Sequence, residues 1–185
     1  MAAPALPSRR AATRTLEEGR ARIEELLERL PRSAMSTPGV GGGAWSPKDL
    51  LGHLASWEGY ALDALAAWER DERAPIDELQ FALSTTRINE QAVARKATWS
   101  LSRIRREAER THEELLRAIR DMSEARWRSA TTSRGRNALG ARLGAILVGS
   151  RGDLFGHDTA HLRSLAAFVE QHGSREPGRP RSALG

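Results

Sequence analysis

WSPKDLLGHLASWE, residues 45–58, is the stretch on which the fold turns. Ser46 carries the hydroxyl of a helix cap, Pro47 the fixed φ of a first helical position, and Asp49 a charge suited to a first turn. Leu50, His53, Leu54, Trp57, Ala61, Leu65 and Trp68 then recur every three or four residues, which predicts a helix down to about Arg70 with a single inward face. His53 lies on that apolar face.

Upstream, Leu16, Ile23, Leu26, Leu27 and Leu30 predict a first helix over Thr13 to Leu30, ended by Pro31. The glycine-rich loop STPGVGGGA, residues 36–44, lacks the GKS or GKT ending of a phosphate-binding loop. Downstream, Leu101, Ile104, Ala108, Leu115, Ile119 and Met122 predict one long third helix from about Thr85 to Met122. Residues 123–137 read as a polar connection, and LGARLGAILVGS from Leu139 as a short helix or an irregular cover. A last helix is expected from about Gly152 to His172, with Leu154, His157, His161, Leu165, Phe168 and Val169 on one face and Gly173 as its stop. With no strand signal and no internal repeat, the expectation is an all-α, antiparallel four-helix bundle over residues 13–172, between basic tails at 1–12 and 173–185 that should be flexible.

Composition narrows the function. The chain has 185 residues, 39% apolar and 29% charged, which suits one globular domain. Its net charge of +5 comes from the two ends, since residues 1–14 carry Arg9, Arg10 and Arg14 with no acid and residues 173–185 carry Arg175, Arg179 and Arg181 against Glu176, which leaves 15–172 formally neutral. The charge is therefore no argument for nucleic-acid binding. The absence of cysteine excludes disulfides, thiolate ligands and cysteine nucleophiles, leaving His, Asp and Glu for any metal site. No apolar run reaches the roughly 20 residues of a membrane span and no secretory signal is present, so a cytoplasmic location is expected.

Two histidines fall in the run His-Asp-Thr-Ala-His at 157–161, four residues apart and therefore on one side of a helix. With His53 on a facing helix they would make a three-nitrogen set with an open position, the arrangement of catalytic zinc. From spacing alone, a reading as hydrogen-bonded core histidines stays open beside the chelating one. His112 and His172 read as structural or solvent-facing.

The stretch WSPKDLLGHLASWE resembles the second-helix signature of the DinB-like superfamily, and GDLFGHDTAHL, residues 152–162, is similar to that superfamily's last-helix motif. The middle stretch RINEQAVARKATWSLSRIRREAERTHEELLRAI, residues 87–119, looks most like the ClbS/DfsB branch. The resemblance spans residues 15 to 172. It implies an antiparallel bundle holding a divalent ion, zinc or nickel, on His53, His157 and His161, often as a homodimer. Superfamily relatives include transferases and isomerases that use low-molecular-weight thiols, and the branch is named for proteins that protect a producer against an electrophilic natural product. The implied function is metal-dependent hydrolysis or thiol transfer on a reactive electrophilic small molecule, in detoxification or self-resistance. The alternative is a non-catalytic bundle that binds or sequesters a small ligand.

Further residues carry paired readings. Asp153 could orient an imidazole or act as a base, or simply cap a helix. Trp57 could wall a substrate pocket or merely pack, and Asn89 could hydrogen-bond a substrate or close a helix start. Arg126, Arg128, Arg134, Arg136, Arg142 and Arg151 could hold an anionic substrate or the carboxylates of a thiol cofactor, or form a solvated loop.

Overall fold

Serine hydroxyls set most of the helix starts. Ser8, Ser46, Ser84, Ser100 and Ser123 each accept a hydrogen bond from the backbone N–H three residues on, satisfying one of the donors that a helix N-terminus leaves free. At Ser46 the carboxylate of Asp49 also accepts from the Ser46 N–H, completing a capping box. The computed structural model describes residues 6–173. Among these are eight α-helices: α1 Arg9–Glu28, α2 Pro47–Glu69, α3 Pro75–Ala82, α4 Thr85–Lys96, α5 Leu101–Asp121, α6 Glu124–Arg128, α7 Leu139–Ile146 and α8 His157–His172. They include no strand, only an isolated bridge between Ala130 and Ala138. None is long and apolar enough to cross a membrane.

The all-α bundle forms as expected, built from α1, α2, α5 and α8, while several boundaries move. The first helix begins at Arg9, so residues 9–12 belong to it and Ala12 is buried. Residues 1–5 and 174–185, which make up most of the two expected tails, lie outside the described residues. The long third helix divides into α4 and α5, because Ser100 caps a new helix. The connection after Met122 contains α6, which buries Trp127 completely. The last helix starts at His157 rather than Gly152, since Gly152 and Phe155 adopt left-handed φ values of +80° and +64°.

Contacts fix the directions. Arg20 reaches Ala108 while Arg9 reaches Met122, so α1 and α5 are antiparallel. Gly52 faces Ile104 and Glu58 meets Thr111, so α2 and α5 run the same way, which the α3–α4 crossover allows. Gly19 abuts Asp158, and Gly173 reaches the carbonyl of Arg29, so α1 and α8 are also parallel. The order is therefore up, down, down, up, with α1 antiparallel to α2 and α5 to α8.

The core has two apolar clusters. One gathers Leu16, Trp57, Leu115, Trp127 and Phe155, the other Ile23, Leu54, Ile104, Leu165 and Phe168. Between the two clusters lie polar residues from each main helix: Arg20 on α1, His53, Ser56 and Glu58 on α2, Thr111 on α5, and His157, Asp158 and His161 in the first turns of α8. This polar layer crosses the bundle and contains the candidate site.

Candidate metal centre

The start of α8 is held by packing beneath it. Phe155 is buried and stacks on Trp127, with ring centroids 5.8 Å apart and planes 19° from parallel. Both rings press on glycines of α7: a Cβ on Gly140 would lie 2.2 Å from Trp127, and one on Gly144 2.7 Å from Phe155. This close approach explains two glycines four apart in a helix that gains nothing from them by propensity. The His157 N–H donates to the Leu147 carbonyl, tying the first residue of α8 to the end of α7.

His157 and His161 then face His53 of α2. The three ring centroids lie 4.9 to 5.1 Å apart, nearly an equilateral triangle, and one nitrogen from each ring falls within 4.8 Å of the others. Nε2 of His53 and Nε2 of His157 are 3.1 Å apart. Two nitrogens on one tetrahedral zinc, each at about 2.0–2.1 Å, would sit about 3.3–3.4 Å apart, so the pair is already near the separation that a shared ion requires.

Their protonation suits the same task. Burial, reinforced by the neighbouring imidazoles, pushes His53 down to about 2. Burial and His161 push His157 down to about 3, and burial also lowers His161. All three are neutral at physiological pH, the form that coordinates a cation. A packing histidine would instead show a satisfied ring, as His172 does in donating to the Phe168 carbonyl and His112 in donating to Glu58. Nδ1 of His53 and Nδ1 of His157 are buried with no partner among the described residues. The donor set and its spacing fit a divalent ion, and the hydrogen-bonded core reading lacks the bonds it needs.

Beside the triad lies a group that the spacing argument missed. Arg20 donates from Nε to Asp158 at 2.8 Å, pairs with Glu58 at 3.1 Å, and reaches the Ala108 carbonyl. Glu58 also accepts from His112 at 2.6 Å. Burial opposes the Arg20 charge, but Asp158 and Glu58 outweigh it and hold its pKa above the ordinary guanidinium value. The signal was present: Arg20 occupies the stripe of Leu16, Ile23 and Leu27, and a charge on an inward stripe requires a buried partner.

A cavity of about 150 Å³ opens onto the triad. Its other walls are Trp57, Gln80, Thr85 and Asn89 on one side and Ala145, Ile146 and Val148 on the other. Trp57 and Asn89 are thus brought to the histidines, and the Trp57 indole donates to Asn89 Oδ1 at 2.9 Å. Asp153 is not. It is exposed in the turn before α8, and only its backbone carbonyl is engaged, by the Gly149 and Gly156 N–H groups. None of the six arginines lines the cavity. Arg126 instead donates to the carbonyls of Trp68, Ala130 and Thr131, Arg128 pairs with Glu124, and Arg142 pairs with Asp77.

The sequence matches the family model described as DinB superfamily over residues 15–172. The fold is similar to the crystal structure of an uncharacterised protein from Escherichia coli UTI89, with a TM-score of 0.67 at 12% identity, covering 90% of this chain and 95% of that one. At that identity the likeness is one of fold. No curated protein matches the chain in sequence.

Proposed function

Because the chain belongs to the DinB superfamily, we propose that it is a metal-dependent enzyme that holds a zinc or nickel ion on His53, His157 and His161. Its substrate would be a reactive electrophilic small molecule, opened by hydrolysis or by transfer to a low-molecular-weight thiol. The single observation that carries the reading is the triangle of three neutral imidazoles, His53 buried and the other two partly buried, with unmatched nitrogens on His53 and His157 beside a cavity. A divalent ion there supplies Lewis acidity, activating water or a thiol as a nucleophile near neutral pH. The protein's own share is to fix the three nitrogens and wall the reacting end of the substrate with Trp57. Ala145, Ile146 and Val148 give the opposite wall an apolar surface.

The ClbS/DfsB likeness of residues 87–119 supports a detoxifying or self-protecting role in the cytoplasm. The homodimer implied by the same resemblance would cover Phe81, which α3 leaves 89% exposed.

The test is turnover of a simple epoxide, with and without a low-molecular-weight thiol, by the metal-loaded full chain. Activity that stops on chelation and returns with zinc or nickel is expected. Activity that survives both chelation and His157→Ala would contradict the proposal, and ligand binding without turnover would identify a sequestering bundle instead.

A further inference from the structure

The cavity beside the triad has a polarity of its own. Apart from the histidines, no ionisable side chain lines it. The side chains offer no fixed counter-charge to replace a charged ligand's hydration; the one charge the cavity could gain is that of an ion on the triad, so away from the histidines the walls select a neutral group. At about 150 Å³ the space is below the roughly 300–1,000 Å³ of sites that enclose a drug-sized ligand. It therefore takes the reacting end of a molecule.

One polar group in it has a fixed direction. The indole N–H of Trp57 can only donate. Trp57 is buried and its N–H ends on Asn89 Oδ1, so the Asn89 amide is turned with its oxygen to the indole and its NH2 outward. Asn89 Nδ2 makes no hydrogen bond to another described residue, and Asn89 is part of the cavity wall. Across from it Ala145, Ile146 and Val148 offer hydrocarbon.

We propose that Asn89, oriented by Trp57, is the specificity-determining donor for a hydrogen-bond-accepting oxygen, of carbonyl or cyclic-ether type, on a neutral and partly apolar substrate. This rests on the metal-enzyme reading only in calling the ligand a substrate. Asn89 selects an uncharged oxygen acceptor over ammonium groups, which bring donors to a donor.

The test uses the 15N-labelled full chain, metal-free and zinc-loaded, with cyclopentanone and pyrrolidinium as matched acceptor and donor probes. The Trp57 indole signal is assigned from Trp57→Phe, and the Asn89 side-chain amide from its loss in Asn89→Asp. In the wild type, cyclopentanone is expected to shift both signals to saturation, with the Asn89 amide protons moving downfield, and pyrrolidinium to leave them unmoved. Asn89→Asp keeps an acceptor for the indole but replaces the amide donors with an oxygen. It should weaken cyclopentanone on the order of ten-fold and admit pyrrolidinium.

Equal ketone affinity in wild type and Asn89→Asp, or no movement of the wild-type Asn89 amide, overturns the inference. The wild-type measurement decides even if the variant does not fold. The two readings fail separately. A protein that binds ketone through Asn89 but never takes up metal refutes only the metal centre, and a metal-loaded protein indifferent to Asn89 refutes only the donor.

Discussion

Arg20, Glu58, Asp158 and His112 on one side of the polar layer, and His53, His157 and His161 on the other, are both withdrawn from water but differ in how their atoms are matched. In the first group every charge meets an opposite charge or a hydrogen-bond partner from another helix, so that α1, α2, α5 and α8 are tied together. In the second group the rings meet mainly one another, and two of their nitrogens meet nothing. A buried polar cluster that satisfies itself serves the fold. One made only of neutral donor nitrogens is complete only with something electrophilic. Adjacency lets the first fix the second, because Glu58 lies on the helix of His53 and Asp158 follows His157 directly.

The comparison breaks most severely at Arg20. Arg20→Met leaves Glu58 and Asp158 buried without their cation, and should cost about 3–5 kcal/mol, read from urea unfolding of the metal-free protein. A loss near zero would show that the layer is not held by this network.

The triad should behave in the opposite sense. His157→Ala with His161→Ala should leave the metal-free protein close to wild-type stability, while abolishing the stabilisation expected when zinc is added to the wild type. That stabilisation is about 2.7 kcal/mol when free ion exceeds Kd a hundred-fold. Equal thermal shifts with zinc in both proteins would place the ion elsewhere.

Acid sharpens the contrast. His53 and His157 titrate at about 2 and about 3 in the fold and near 6.5 when unfolded. Below pH 6.5 the unfolded chain therefore binds more protons than the folded one. The metal-free protein should hold its full stability above about pH 6.5 and lose it on acidification, by about 1.4 kcal/mol per pH unit for each such histidine. Urea midpoints between pH 6.5 and 5 should fall more gently in the double variant. Parallel lines would mean that the rings are not held neutral by the fold.

The smallest effect is expected at the arginine cluster. Arg142→Ala removes a half-exposed pair with Asp77 and should cost at most about 1 kcal/mol, with metal uptake unchanged. A large change in ligand or metal binding would return those arginines to the site.

The bundle was legible because apolar residues at helical spacing must find one another, and the triad because its histidines stand on those same stripes. The break at Ser100 went unread because the less periodic stretch before Trp99 runs into the strong periodicity that begins at Leu101, whereas the structure starts a new helix at the Ser100 cap. The start of α8 was not legible, since it depends on Phe155 holding a left-handed turn against Trp127 and α7, a contact between distant segments. That turn removes Asp153 from the helix and from the histidines. In the ionic half of the layer, Arg20 on its inward stripe signalled a buried charge, but its partners Glu58 and Asp158 were hidden, because only the juxtaposition of α1, α2 and α8 makes them a network. The arginine cluster kept two readings open because charge count says nothing about which backbone carbonyls a loop must satisfy.

The most direct measurement is metal content by elemental analysis of untagged protein prepared without chelator, beside the His157→Ala, His161→Ala variant and after reconstitution of both with zinc and nickel. About one equivalent of zinc or nickel in the wild type and none in the variant is the result expected. No metal in either protein, or equal metal in both, would contradict the assignment of His53, His157 and His161 as the metal centre.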